Sequence, residues 1–292
     1  MWLNSHGASK RKLKSATTGG LRLLLAFVLS LSTGCSSSNF FESFSNQEDR
    51  DSLIRSVKDA LANQDYASAI SACESMESDD AAQEEALYLC ASAYAGSCGY
   101  DLFSVINQIT AYTGPTPLIF EYFMEQNNGA VVADVTACNT ALTKIRTIGS
   151  ASVRNGDQNF FALLSGFTNM GVILNLLADT NDDGTPDPAF DACAPASISN
   201  ANVTQFGTAL WELYRSSEVI TTSITEISDL KTALDALSAA ITLIDPTYNF
   251  LLSSVNPSSF TANQLKGVRT LIREGQVLGL NYCANYAACL CP

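Results

Sequence analysis

The chain has one histidine, His6, among 292 residues. Beyond position 6 that absence removes Ser-His-Asp and Cys-His catalytic sets, histidine-held metals and proximal-His haem. Cations are scarce as well: sixteen Lys and Arg stand against 29 Asp and Glu, a net charge of −13. Five of those sixteen fall before residue 35, so the remainder of the chain carries −18. A surface so acidic repels phosphate backbones and anionic headgroups, and nucleic acid is excluded as an expected partner. The plain role of such an excess is solubility. No two cysteines have the CxxC spacing, so with histidine missing there is no framework for zinc.

What is present begins with a basic head, Lys10, Arg11, Lys12 and Lys14, followed by an apolar run over 23–31. That run is about half of the ~20 residues a bilayer crossing takes, and it reads as a secretory signal. It ends in Ser32-Thr33-Gly34-Cys35, which resembles the lipobox of bacterial lipoproteins, with Ser32 where that family usually has Leu. The resemblance implies that residues 1–34 are removed, that the Cys35 thiol is acylated, and that the lipid holds the chain to the cell envelope. Each buried methylene contributes ~0.8 kcal/mol to such an anchor. Ser36 after the cysteine resembles lipoproteins of an outer membrane, facing periplasm or cell surface. The other reading is cleavage nearby by an ordinary signal peptidase, leaving Cys35 as a free thiol. Residues 35–48 are Ser-rich and read as a flexible tether, with Phe40, Phe41 and Phe44 expected to dock on the fold.

Eight further cysteines follow, Cys73, Cys90, Cys98, Cys138, Cys193, Cys283, Cys289 and Cys291. An even number in an exported chain reads as up to four disulfides, whose connectivity spacing alone leaves open. Cys73 with Cys90 is the pair to expect, because hairpin-paired helices bring inward positions together. The tail carries three cysteines and is too short to fold alone, so it is expected to be stapled to the body.

Apolar spacing predicts helices over 51–63, 84–96, 102–112, 131–148, 160–178, 204–227, 229–244 and 262–278, and one capped by Asp65 with Ile70 and Cys73 inward. Ser228 and Thr261 are the expected caps of later helices, Thr261 forming a capping box with Gln264. Residues 118–124 read only as a short aromatic stretch. Nineteen residues, 160–178, lack charge altogether and invite reading as a membrane span. Ser165, Thr168, Asn169 and Asn175 within them are costly in hydrocarbon, so a helix buried on all sides by protein is expected. Gly166 and Gly171 would let its neighbours come close.

A shift of 34 lays Leu53 on Leu87, Ile54 on Tyr88, Val57 on Ala91, Ala60 on Tyr94 and Tyr66 on Tyr100. With ANQDYASAI at the turn, residues 50–112 resemble tetratricopeptide repeats, which implies stacked helical hairpins. A plain stack of helical hairpins is the alternative. The expected fold is all-α, tetratricopeptide-like antiparallel hairpins continuing into a helical bundle and stapled by disulfides. A polar loop at 149–157 is expected to divide a repeat-like half, 49–148, from a C-terminal helical half, 149–292.

One stretch has the chemistry of a site. Asp179, Asn181, Asp183, Thr185 and Asp187 set oxygen ligands at alternate positions around Gly184, the order in which a loop wraps calcium. It resembles the calcium loops of EF-hands, dockerins and thrombospondin type 3 repeats, with Phe190 where the EF-hand has its bidentate Glu and Asp191 next to it. An Asx-rich surface turn has the same composition. The expected ion is structural. No catalytic residue is expected; the one neat carboxylate pair, Glu121 and Glu125, has the spacing of a solvated helix face. The sequence points to a membrane-anchored helical scaffold outside the cytoplasm that binds a protein partner. A ligand-binding accessory lipoprotein of a transport system is the alternative, its apolar pocket lined by Tyr94, Tyr100, Phe103, Phe120, Tyr122 and Phe123.

Overall fold

The computed structural model describes residues 48–99, 119–220, 225–275 and 278–292. The signal, Cys35, the tether with its three phenylalanines, Tyr100, Phe103 and the helix expected at 102–112 lie outside them. Among the described residues there are ten α-helices and no strand. They are α1 (Glu48–Ala62), α2 (Tyr66–Glu74), α3 (Ser78–Ala81), α4 (Glu84–Ser97), α5 (Ile119–Glu125), α6 (Val132–Ile148), α7 (Gly156–Ala178), α8 (Asn200–Val219), α9 (Thr225–Ile244) and α10 (Ala262–Arg273). The protein is all-α and stapled by four disulfides, Cys73–Cys90, Cys98–Cys138, Cys193–Cys291 and Cys283–Cys289. From Ser52 to Pro292 they belong to one compact unit.

The first helices form as their patterns require. Asp65 caps α2 by accepting from the Ser68 N–H at 3.1 Å, which satisfies one of the donors a helix start leaves unpaired. Ala69 and Cys73 face inward from α2 and meet Ile54 and Val57 of α1 and Ala86, Cys90 and Ala93 of α4 in a small apolar cluster. The Cys73–Cys90 bond runs through that cluster and ties α2 to α4, with only the one-turn α3 between them in sequence. The opposite side of α4 contributes Ala91 and Ala95 to the larger core, where Cys98–Cys138 ties its end to α6.

The large core is built on α7, which packs against α5, α6 and α8. Of its most apolar 18 residues 83 % are buried inside the protein, so the uncharged run is a core helix enclosed by other helices. It starts earlier than its uncharged run, because Asn155 and Gln158 form a capping box, each side chain accepting from the other's N–H at 3.0 Å. Gly166 and Gly171 admit the neighbours: a Cβ would stand 2.8 Å from the Ala209 carbonyl in α8 and 2.6 Å from the Phe123 carbonyl in α5. Phe123 stacks on Phe167, and Phe120 meets Phe206 edge-on.

Several boundaries differ from expectation. Residues 119–125 are a helix, α5, whose Phe120, Phe123 and Met124 are buried. Ser199 caps α8 ahead of the expected start, by accepting from the Asn202 N–H, and the helix ends at Val219, where β-branched residues begin. Ser228 is not a cap: it lies inside α9, its carbonyl accepting from the Thr232 hydroxyl. Thr261 and Gln264 do form their capping box at the start of α10. That helix stops at Arg273 rather than 278, because the buried Glu274 carboxylate turns back to accept from the Leu278 and Gly279 N–H groups at 2.6 and 3.1 Å.

A cluster of three charged side chains crosses this interior. Glu212 of α8, 3 % exposed, pairs with Arg154 before α7 and with Arg146 at the end of α6, both at 2.8 Å. The Arg154 side chain is wholly buried, and Arg146 reaches the Ser258 hydroxyl. Two arginines on one carboxylate thus tie α6, the turn before α7, α8 and the loop before α10 together.

Candidate functional site

The acidic loop begins where α7 ends. Asp179 is its C-cap residue and is 1 % exposed. One carboxylate oxygen accepts from the Asp183 N–H and the other from the Gly184 N–H, each at 3.0 Å. Gly184 has a φ of 81°, which a side chain would strain, and its missing Cβ leaves room for the Glu125 methylenes at 3.0 Å. Asp183 accepts from the Thr185 N–H at 2.9 Å, the Thr185 hydroxyl at 2.6 Å and the Asn181 amide at 2.9 Å. Those bonds to Thr185 and Asn181 hold its carboxyl below the usual range. Asp187 closes the turn by accepting from the Thr180 N–H and hydroxyl at 3.0 and 2.5 Å.

Neighbouring elements hold the loop from outside. Asn175, 1 % exposed, donates to Asp179, Asp182 and Asn128 and accepts from the Ala130 N–H. Asp182 has a φ of 56° and reaches the Gly129 N–H at 2.9 Å, across to the turn between α5 and α6. The Tyr282 hydroxyl donates to the Asp187 carbonyl at 2.8 Å. Burial, with Asp187, Asp191 and Glu121 nearby, pushes that phenol up to about 12. On α5, burial and the Glu125 carboxylate raise the Glu121 carboxyl.

The carboxylates of Asp179, Asp183 and Asp187 turn on the loop's own N–H and hydroxyl groups. Among the described residues no three His, Cys, Asp or Glu side chains gather as a metal group would require. The position of the missing bidentate Glu is filled by Phe190, which is buried with its ring 6.2 Å from that of Tyr282. Asp191 faces away from the loop, toward the Cys193 N–H at 3.0 Å and the Arg273 guanidinium at 3.7 Å. Asp182 and Asn175, which bind the loop to the body, are not among the residues that the calcium pattern names, although Asn175 stands out as a polar residue of the uncharged run. Asn175 carried a signal, as an amide in an otherwise apolar buried helix must find partners.

Of the aromatic residues expected to line a pocket, Tyr100 and Phe103 lie outside the described residues. Phe120 and Phe123 fill the core, and the Tyr94 hydroxyl donates to Glu74 at 2.8 Å on the surface. Compared with protein-family models, curated proteins and solved structures, the chain gives no match.

Proposed function

We propose that this protein is a lipid-anchored, extracytoplasmic helical scaffold that holds a protein partner and performs no catalysis of its own. The observation that carries the reading is on α9. Leu243 is 88 % exposed and stands at an open groove of about 560 Å³ that Tyr214, Asp235, Ser238, Ala239 and Thr242 also line. In the proposed reading an apolar side chain of the partner fills the groove and covers Leu243. Four disulfides favour an oxidising compartment, in keeping with the lipobox-like run that ends in Cys35. An enclosed ligand pocket has less support: the space beside Cys98–Cys138, lined by Ala95, Ala141, Ser165 and Thr168, is too narrow for water. The test is capture of membrane partners by the anchored chain and by its Leu243→Arg variant. The partner is expected to be lost with the variant while its melting midpoint stays unchanged; equal capture by both would remove this face from the proposal.

Calcium belongs to the same proposal as a structural ion of the acidic loop, supported by its oxygen donors and the left-handed Gly184. The ion would compete with the N–H groups now on Asp179 and Asp183. Since binding to the folded state alone stabilises it by mass action, calcium at ~100 times Kd is expected to add ~2.7 kcal/mol. Melting in millimolar calcium and in chelator measures this. A midpoint that does not move, or moves equally in Asp183→Ala, means that the loop's own donors close it.

A further inference from the structure

The two disulfides at the C-terminus differ from the other two in access. In Cys73–Cys90 and Cys98–Cys138 all four residues are buried, at 4 % exposure or less. In Cys193–Cys291 and Cys283–Cys289 one partner of each, Cys193 and Cys283, is half-buried and within reach of a thiol, while Cys291 and Cys289 are enclosed. What separates these two bonds is Arg273, the last residue of α10. Its guanidinium stands 3.0 Å from the Cys193 sulfur, and its carbonyl oxygen stands 3.6 Å from the Cys283 sulfur. A cation beside a sulfur attracts an incoming thiolate and stabilises a departing one, whereas a carbonyl oxygen does neither. Asp191, 3.7 Å from the same guanidinium and 52 % exposed, offsets part of that charge through solvent.

We propose that Cys193–Cys291 is a thiol-exchange latch, opened by a dithiol ahead of the other three bonds. A thiolate of the dithiol attacks the Cys193 sulfur, the S–S bond breaks, and its electron pair leaves on Cys291, which takes a proton. The second thiol of the dithiol then attacks its own partner sulfur in the mixed disulfide, and Cys193 leaves as a thiolate beside Arg273. The dithiol is oxidised to a disulfide and the latch is reduced by two electrons. Opening unpins the last residues from the segment around Cys193, which Arg269 holds separately by donating to the Ala192 and Ile198 carbonyls. The tail stays looped on itself through Cys283–Cys289 and stays on α10 through the Tyr286 hydroxyl, which donates to the Gly267 carbonyl, and the Cys291 N–H, which donates to the Thr270 hydroxyl.

The experiment is a limited reduction of the folded protein with dithiothreitol, quenched in acid, with alkylation and peptide mass spectrometry to follow each cysteine. Cys193 and Cys291 are expected to become labelled first. Arg273→Gln should slow their appearance about fivefold, as loss of one nearby charge in a water-like dielectric implies, and Arg273→Lys should restore most of it. High salt should narrow the gap between parent and Arg273→Gln, and the freed Cys193 should alkylate at lower pH in the parent. Earlier or simultaneous labelling of Cys283 and Cys289, or a rate indifferent to Arg273→Gln, would overturn the proposal.

Discussion

Glu212→Leu is expected to lower stability by about 3–5 kcal/mol, because it leaves Arg154 buried and charged with nothing to balance it. Among the described residues the Arg154 side chain has, beyond Glu212, only the Ser216 hydroxyl, at 3.4 Å, and two of its nitrogens have no hydrogen-bond partner there. Arg146 suffers less, since it is 22 % exposed and reaches Ser258. For a domain of this size the loss corresponds to a drop in melting midpoint of roughly 6–20 °C. The double variant Arg154→Leu with Glu212→Leu should be more stable than the single one, as it removes the stranded charge together with its partner. Calorimetry of the three proteins decides it. A single variant within ~0.5 kcal/mol of the parent would mean that water reaches Arg154 and that the cluster is not dry.

The second large effect concerns location. Cys35→Ser is expected to move the protein from the membrane fraction to the soluble one almost completely, since one or more acyl chains account for its whole attachment in the proposed reading. Fractionation of cells carrying parent and variant measures it. Retention of the variant in membranes would sink the lipid anchor. It would leave α7 unable to take over without unfolding the core, because that helix is enclosed by α5, α6 and α8.

Local chemistry is what the sequence made legible. Asp65, Thr261 and Gln264 act where they were expected because a cap needs only a polar side chain and an N–H three residues on. Cys73–Cys90 was readable because both cysteines lie on inward positions of helices close in the chain, separated only by the four-residue α3. The partners of Cys98 and Cys193 lie 40 and 98 residues away, and no periodicity connects them. The same holds for Arg154 and Glu212, 58 apart, where Arg154 lies in a turn that reads as plain polar loop. In the acidic loop the sequence could not separate two uses of one pattern. Alternate oxygen-bearing residues around a glycine suit a cation, and they equally suit the N–H groups that a tight turn exposes.

The core helix α7 carries a consequence outside the folded state. Two of its polar side chains, Ser165 and Asn169, are buried with no hydrogen-bond partner among the described residues, so packing alone does not account for them. A chain exported before it folds must draw this segment through a bilayer while still extended, and a run of its length and apolarity is one that hydrocarbon retains. Every hydroxyl and amide in its middle makes stopping there less favourable, because in lipid those groups have no water. In the proposed extracytoplasmic reading, residues that weaken the finished core favour the chain's passage, and an Asn169→Leu variant is expected to gain packing while becoming a better stop-transfer segment.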